Sequence, residues 1–265
     1  MELTKRAIFT YGHKGGVGKS TFGAALLDYF RRHGIPCAAF DSDYAVRHLY
    51  QYYGTKADND APEDPLVGVS LVDLKQPRAR DGLVNILDRN YPRILLDMPA
   101  GSATDLEEGF GLGTARALYE EYASCGYRIT LATVITPIFA STEAVQIAFE
   151  TFGRNVDHLV VKNLHYGEEN QFPFFDGFEE NGAMRYDKTK KSILQSGGMV
   201  IGLPKLRADT FAMIDKYALN FTNALESTTL SRADRSRVHQ WREECGNVLR
   251  QAGHLLGLDD ASVVA

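Results

Sequence analysis

His13-Lys14-Gly15-Gly16-Val17-Gly18-Lys19-Ser20 places two lysines in one glycine-rich turn. The short apolar run Arg6-Ala7-Ile8-Phe9-Thr10-Tyr11 precedes it, and helix-forming residues follow from Phe22 to Arg32, with Gly34 as a stop. Strand, turn and helix in that order bring successive backbone N–H groups and the positive end of a helix to one point, which suits a triphosphate. In such a turn Lys19 reaches the β- and γ-phosphates and the Ser20 hydroxyl ligates Mg2+. The strict spacing G-x-x-x-x-G-K-[ST] fails at its first position, which is His13, because Gly12 lies one residue too early. The variant x-K-G-G-x-G-K-[ST] fits. The competing explanation is a glycine-rich helix cap with no ligand, and the flanking strand and helix weigh against it.

Composition bounds the rest. With 265 residues, 44% of them hydrophobic, the chain can bury a large core and is expected to form a single α/β domain over residues 1–265. Cys37, Cys125 and Cys245 are widely scattered, with no C-x-x-C spacing, so a reduced, cytoplasmic protein is expected. No apolar run reaches membrane-spanning length, and no membrane anchor is evident. A net charge of −5 argues against whole-surface attraction for nucleic acid and leaves local basic patches open.

Apolar strands are expected at Cys37–Phe40, Gly68–Leu71, Arg93–Leu96, Arg128–Ile135, His158–Val161 and Met199–Ile201. Helical patterns fall between them at Ala79–Asp88, Leu112–Tyr122, Thr142–Phe152 and Ala208–Tyr217. This order predicts an α/β fold, a mostly parallel twisted sheet with helices on both faces, whose ligands bind at the C-terminal ends of the strands. The phosphate loop, Asp41, Asp43 and Asp97 all fall at those ends. Asp58–Pro65 reads as an exposed loop.

The two-lysine loop resembles that of the ParA/MinD family of deviant-Walker P-loop ATPases, and the likeness runs from Ala7 to about Pro204. The resemblance implies a nucleotide site at Gly15, Gly16, Val17, Gly18, Lys19, Ser20 and Thr21. It implies that Lys14 crosses a homodimer interface to the partner's nucleotide, a charge clamp on phosphoryl transfer comparable in logic to an arginine finger. Phe40-Asp41-Ser42-Asp43 matches the family's D-x-D segment, so Asp43 is assigned the attacking water and Asp41 the Mg2+ surroundings; Tyr44-Ala45-Val46 departs from the residues usual after that pair. A solvated helix N-cap is the plain alternative for these carboxylates. Ile94-Leu95-Leu96-Asp97-Met98-Pro99-Ala100-Gly101 looks like the family's Walker B with its D-x-P-A-G continuation, which gives Asp97 to the metal's water shell; Gly109–Gly113 would belong to a moving switch or be a plain surface loop. Asn163, ending Leu159-Val160-Val161-Lys162-Asn163, resembles the family's adenine contact, with a turn-forming Asn as the ordinary alternative, and Pro204 in Ile201-Gly202-Leu203-Pro204 resembles the nearby backbone contact. ATP is the expected nucleotide, with GTP left open.

Residues 165–182 hold Glu168, Glu169, Asp176, Glu179 and Glu180 with Tyr166, Phe172, Phe174, Phe175 and Phe178, and no Lys or Arg. They are either a partner-facing insertion or a loop whose rings return to the core. Residues 232–256 put Val238, Trp241, Cys245, Val248, Ala252 and Leu255 on one helix face for packing on the sheet. Arg232, Arg235, Arg237, Arg242 and Arg250 would be either a patch for non-specific DNA or, since Asp234, Glu243 and Glu244 dilute them, a solvated, mixed-charge helix face, which is the default reading. The resemblance implies a Mg-ATP-dependent dimerising switch with slow hydrolysis that positions or partitions DNA or a protein cargo through an adaptor. The alternatives are a nucleotide-dependent binding module without significant hydrolysis and an iron-protein-like or metallocluster-assembly ATPase.

Overall fold

A computed structural model of the chain describes residues 5–12, 14–43, 46–55, 63–72, 79–101, 114–185 and 188–258. In β1 (Lys5–Tyr11) successive side chains point to opposite faces of the sheet, and both sets are buried. Ile8 belongs to one core and Ala7 and Phe9 to another, so the strand must be covered on both sides. β2 (Ala38–Asp41) and β4 (Arg93–Asp97) are buried along their whole length. With β3 (Ser70–Leu71), β5 (Tyr127–Ile135), β6 (Asp157–Asn163) and β9 (Met199–Leu203) they form a seven-stranded sheet in the order β3-β2-β4-β1-β5-β6-β9. All six pairings are parallel. The chain steps outward in opposite directions from β1, so the crevice beyond its carboxyl end is the topological switch point where ligands bind in such sheets.

One face is covered by α1 (Lys19–Arg32) and by the C-terminal helices α8 (Ala208–Lys216), α9 (Phe221–Glu226), α10 (Arg232–Gln251) and α11 (Gly253–Leu256). α1 turns Phe22, Leu26 and Phe30 inward, and each such ring or branched chain contributes about 1.5–3 kcal/mol on burial. It closes at Gly34, whose φ of 63° admits glycine readily: Ile35 N donates to Phe30 O (2.9 Å) and Gly34 N to Arg31 O (3.2 Å), the paired closure that follows a left-handed residue. On α10, Val238, Trp241, Cys245 and Leu249 are buried, followed by Ala252 and Leu255. The other face is covered by α3 (Ala79–Asn85), α4 (Thr114–Ser124) and α5 (Phe139–Phe152), through Leu83, Leu118, Tyr122, Ala144 and Phe152. Several helices extend differently from their sequence expectations: the helix expected over 232–256 divides at Ala252 into α10 and α11, and α4 runs on to Ser124. The Ala79–Asp88 pattern breaks into α3 and a 3-10 turn at Ile86–Arg89, and α5 starts at Phe139, ahead of Thr142.

Three elements carried no apolar periodicity: α2 (His48–Tyr53), α6 (Pro173–Asp176) and the hairpin of β7 (Phe178–Glu180) and β8 (Ala183–Arg185). The hairpin turns through Asn181 (φ 53°) and Gly182 (φ 77°), the two left-handed residues that a tight strand reversal requires. α7 (Lys188–Gln195) leads from it to β9. Among the described residues no helix is long and apolar enough to cross a membrane.

α10 is fastened to α1 by a buried ion pair. Arg242 donates from Nε to Asp28 Oδ2 (2.8 Å) and from its terminal nitrogen to Asp28 Oδ1 (2.9 Å) and Thr222 Oγ1 (3.0 Å). This fork-to-carboxylate geometry satisfies both charges where water is excluded. Removing one member leaves the other charge buried and unpaired, so Arg242→Ala should lower unfolding free energy by about 3–5 kcal/mol. Urea denaturation measures this, and a loss below about 1 kcal/mol would show that the pair is not a fastening of the C-terminal helices.

Candidate functional site

The phosphate loop leaves β1 at Gly12 and enters α1 through Gly18, whose φ of 101° is left-handed. A Cβ at Gly18 would stand 2.3 Å from Asn163 Nδ2, so close approach as well as backbone conformation demands glycine here. Gly16 also has positive φ, 78°. Asn163, at the end of β6, and Tyr166, just beyond it, brace the loop. Asn163 Nδ2 donates to Val17 O (2.8 Å), and the hydroxyl of Tyr166 donates to Gly16 O (2.7 Å). In a planar trans peptide C=O and the next N–H point in opposite directions, so holding Val17 O against Asn163 turns the Gly18 N–H the other way.

Lys19 heads α1 with only 7% of its surface exposed, and its Nζ donates to Lys14 O at 3.3 Å. Burial pushes its pKa down, while Asp97 and Asp43 oppose that push. Among the described residues it has no carboxylate within ion-pair distance, which leaves an ammonium held ready for an anion. Lys14, Gly15 and Gly16 lie exposed at the tip of the loop, and Ser20 and Thr21 are partly exposed on the first turn of α1.

Asp41 and Asp97 are register partners at the ends of adjacent strands, and both are buried. Asp97 Oδ1 accepts from the Thr10 hydroxyl (2.5 Å), which itself accepts from Met98 N (3.1 Å). Among the described residues Asp97 Oδ2 is buried with no hydrogen-bond partner. Burial raises the pKa of Asp97, against the hydroxyls of Thr10 and Ser20 and the charge of Lys19. A buried carboxylate oxygen left bare is costly unless a ligand completes it. Asp41 accepts from two backbone amides, Asp43 N (2.9 Å) and Tyr50 N (3.0 Å), the second in the first turn of α2. Burial first, and Asp97 second, push its pKa up to about 7. Asp43 is half-buried and borders the cavity in front of the loop; its Oδ1 accepts from Val46 N (3.3 Å).

That cavity, of about 410 Å3, runs from the phosphate loop to an apolar end formed by Leu203, Pro204, Phe211, Ile214, Phe221 and Trp241. Asn163 and Pro204 stand on its wall with partners already. Asn163 Oδ1 accepts from His165 N (3.1 Å), and Pro204 O accepts from Trp241 Nε1 (2.8 Å). The hydroxyl of Tyr52 on α2 bonds to Asp215 on α8, and both residues border the cavity.

The structure therefore brings Lys19, Ser20, Asp41, Asp43, Asp97 and Asn163 to one edge of the sheet. Gly109–Gly113, read as a switch or surface loop, lies outside the described residues. In the acidic, aromatic segment Phe172 and Phe175 are fully buried with Ile135, Val145, Val160 and Ile193. Asp176 is held there by Lys162 (2.8 Å) and Lys190 (2.6 Å). Phe174 packs edge-on against Phe139 and Phe178 nearer the surface. The arginines of α10 are largely engaged: Arg242 with Asp28, Arg237 with Asp234, and Arg235 with the carbonyls of Ser227 and Leu230. Sequence reasoning missed Thr10, Tyr52, Tyr166 and Asp215. The one available signal was Thr10, a hydroxyl next to the end of an otherwise apolar strand.

No family model matches the chain. Protein MobD of Acidithiobacillus ferrooxidans is 23% identical over 252 residues, which are 95% of this chain and the whole of that one. Among solved structures, the MinD cell division protein of Aquifex aeolicus is 15% identical over 89% of this chain and 95% of its own, with a TM-score of 0.47. The septum site-determining protein MinD of Pyrococcus horikoshii OT3, complexed with Mg-ADP, is 17% identical over 95% and 98%, also with a TM-score of 0.47. These superpositions are loose, and the fold is read from the strand order and the loop. The chain has the fold of a P-loop NTPase, with a phosphate loop that resembles that of the ParA/MinD family.

Proposed function

We propose that the chain is a Mg-ATP-dependent switch that dimerises around two nucleotides, hydrolyses ATP slowly and positions or partitions a cargo. The observation that carries this reading is a buried Lys19 beside a braced phosphate loop, with no carboxylate at ion-pair distance among the described residues, and an Asp97 Oδ2 with no hydrogen-bond partner among them. The amides of Gly15 to Thr21 cradle the phosphates, and Lys19 bridges β- and γ-oxygens. The donor set fits Mg2+: the Ser20 hydroxyl and the Asp97 oxygen lie together, and such ions keep several waters rather than a full protein cage. Mg2+ neutralises phosphate charge when bound. Asp97 accepts from its water shell, and Asp41, whose oxygens already orient the Asp43 amide and α2, sets the surroundings.

Adenine fits the apolar end of the cavity. Asn163 Oδ1 has a second lone pair for the exocyclic amine, and Pro204 flanks the ring. Asp43, at the open side of the loop, orients the attacking water. Lys14, exposed at the loop tip, reaches the nucleotide of a second copy, so that the phosphates are fully compensated only in the dimer. Within this reading the engaged arginines of α10 favour a protein adaptor over DNA as the surface recognised.

Light scattering with Mg-ATP and a phosphate-release assay test the reading. Lys14→Ala should remain a monomer that still binds ATP, with turnover down by a factor on the order of 10³; unchanged dimerisation and turnover would remove the trans role of Lys14. Asp43→Ala should bind ATP, lose about 10²-fold or more in hydrolysis and accumulate as the ATP dimer. Unaltered hydrolysis would move the water to another residue, and an inactive wild-type chain that dimerises with ATP would be a binding module without turnover.

A further inference from the structure

Tyr166 is half-exposed, with 51% of its surface open, yet its hydroxyl is spent on the carbonyl of Gly16 in the phosphate loop, 150 residues away in sequence. Its position is set by the residue that ends β6. Asn163 O accepts from Tyr166 N (3.1 Å) and Asn163 Oδ1 from His165 N (3.1 Å), so Asn163 folds a tight turn that swings the Tyr166 ring over the loop. His165 stands edge-on to that ring at 5.1 Å between centroids and limits its rotation.

We infer that Tyr166 is a positioning residue for phosphate binding: by holding the Gly16 carbonyl it fixes the orientation of the Val17 N–H, at the wall of the cavity that Gly16 and Tyr166 both line. The peptide linking Gly16 to Val17 is planar and trans, so its C=O and N–H point in opposite directions. Gly16, at φ 78° and with open space where a Cβ would sit, has no side chain to restrict this peptide. An external hydrogen bond is the available restraint. Asn163 performs the same service for the next peptide, so two successive amides of the cradle are oriented by one turn after β6. The inference rests on the phosphate-binding reading of the loop and assigns a residue to it that the loop sequence does not contain.

Tyr166→Phe removes only the hydroxyl and keeps the ring at an exposed position, so its melting temperature should match that of the wild type. Calorimetry should show Mg-ADP and Mg-ATP bound about fivefold more weakly, the equivalent of one hydrogen bond. In 15N spectra the shift of the Val17 amide on adding Mg-ADP should shrink, while that of Gly18, oriented by Asn163, is retained. Wild-type affinity in Tyr166→Phe with an unchanged Val17 shift overturns the inference. Failure of the wild-type chain to bind Mg-ADP would instead sink the nucleotide reading itself.

Discussion

The hydrogen bond from the Asn163 amide to the Val17 carbonyl joins the end of β6 to the phosphate loop, and the site's geometry follows from it. A glycine-rich loop gains close approach to a ligand by giving up side chains, and it gives up conformational restraint with them. Gly18 shows the exchange in one residue: it is left-handed, and its missing Cβ is the space that Asn163 occupies. The restraint is returned from outside the loop, by Asn163 on the Val17 carbonyl and Tyr166 on the Gly16 carbonyl. The two peptides are thereby restrained before any ligand arrives, which would lower the ordering cost of binding.

The carboxylates show a complementary economy. Parallel pairing sets Asp41 and Asp97 side by side at the ends of β2 and β4, where burial raises both pKa values. Asp41 is satisfied by two amides and ties α2 to the site, while Asp97 keeps one oxygen bare. Thr10, one strand over, holds the other oxygen of Asp97 and the amide of Met98, and so fixes where the bare oxygen stands. Two carboxylates of similar sequence context thus acquire different tasks from what the backbone offers each of them.

Much of this was legible in the sequence because it is periodic or local. Strand, turn and helix around Gly15–Ser20 needed only neighbouring residues, and the parallel sheet followed from apolar runs alternating with helical patterns. What was not legible depends on residues distant in sequence. Nothing in Tyr166-Gly167-Glu168 announces a bond to Gly16, and the acidic, aromatic run left Tyr166 between a partner-facing insertion and a loop whose rings return to the core. Phe172 and Phe175 pack under the sheet edge although their neighbours are acidic, because Lys162 and Lys190 neutralise Asp176 from other elements. The β7–β8 hairpin did have a local signal in Asn181-Gly182, without the alternating apolar flanks that usually accompany it.

The Mg-nucleotide site proposed for this chain consists of the braced loop, Lys19 and the open carboxylate oxygen of Asp97. Isothermal titration of the purified chain with Mg-ATP tests it most directly, with the same titration in EDTA beside it. The account predicts one nucleotide per chain with a dissociation constant on the order of micromolar, about −8 kcal/mol, and marked weakening when the metal is removed. Absence of binding to the folded chain, or an affinity indifferent to EDTA, would contradict it.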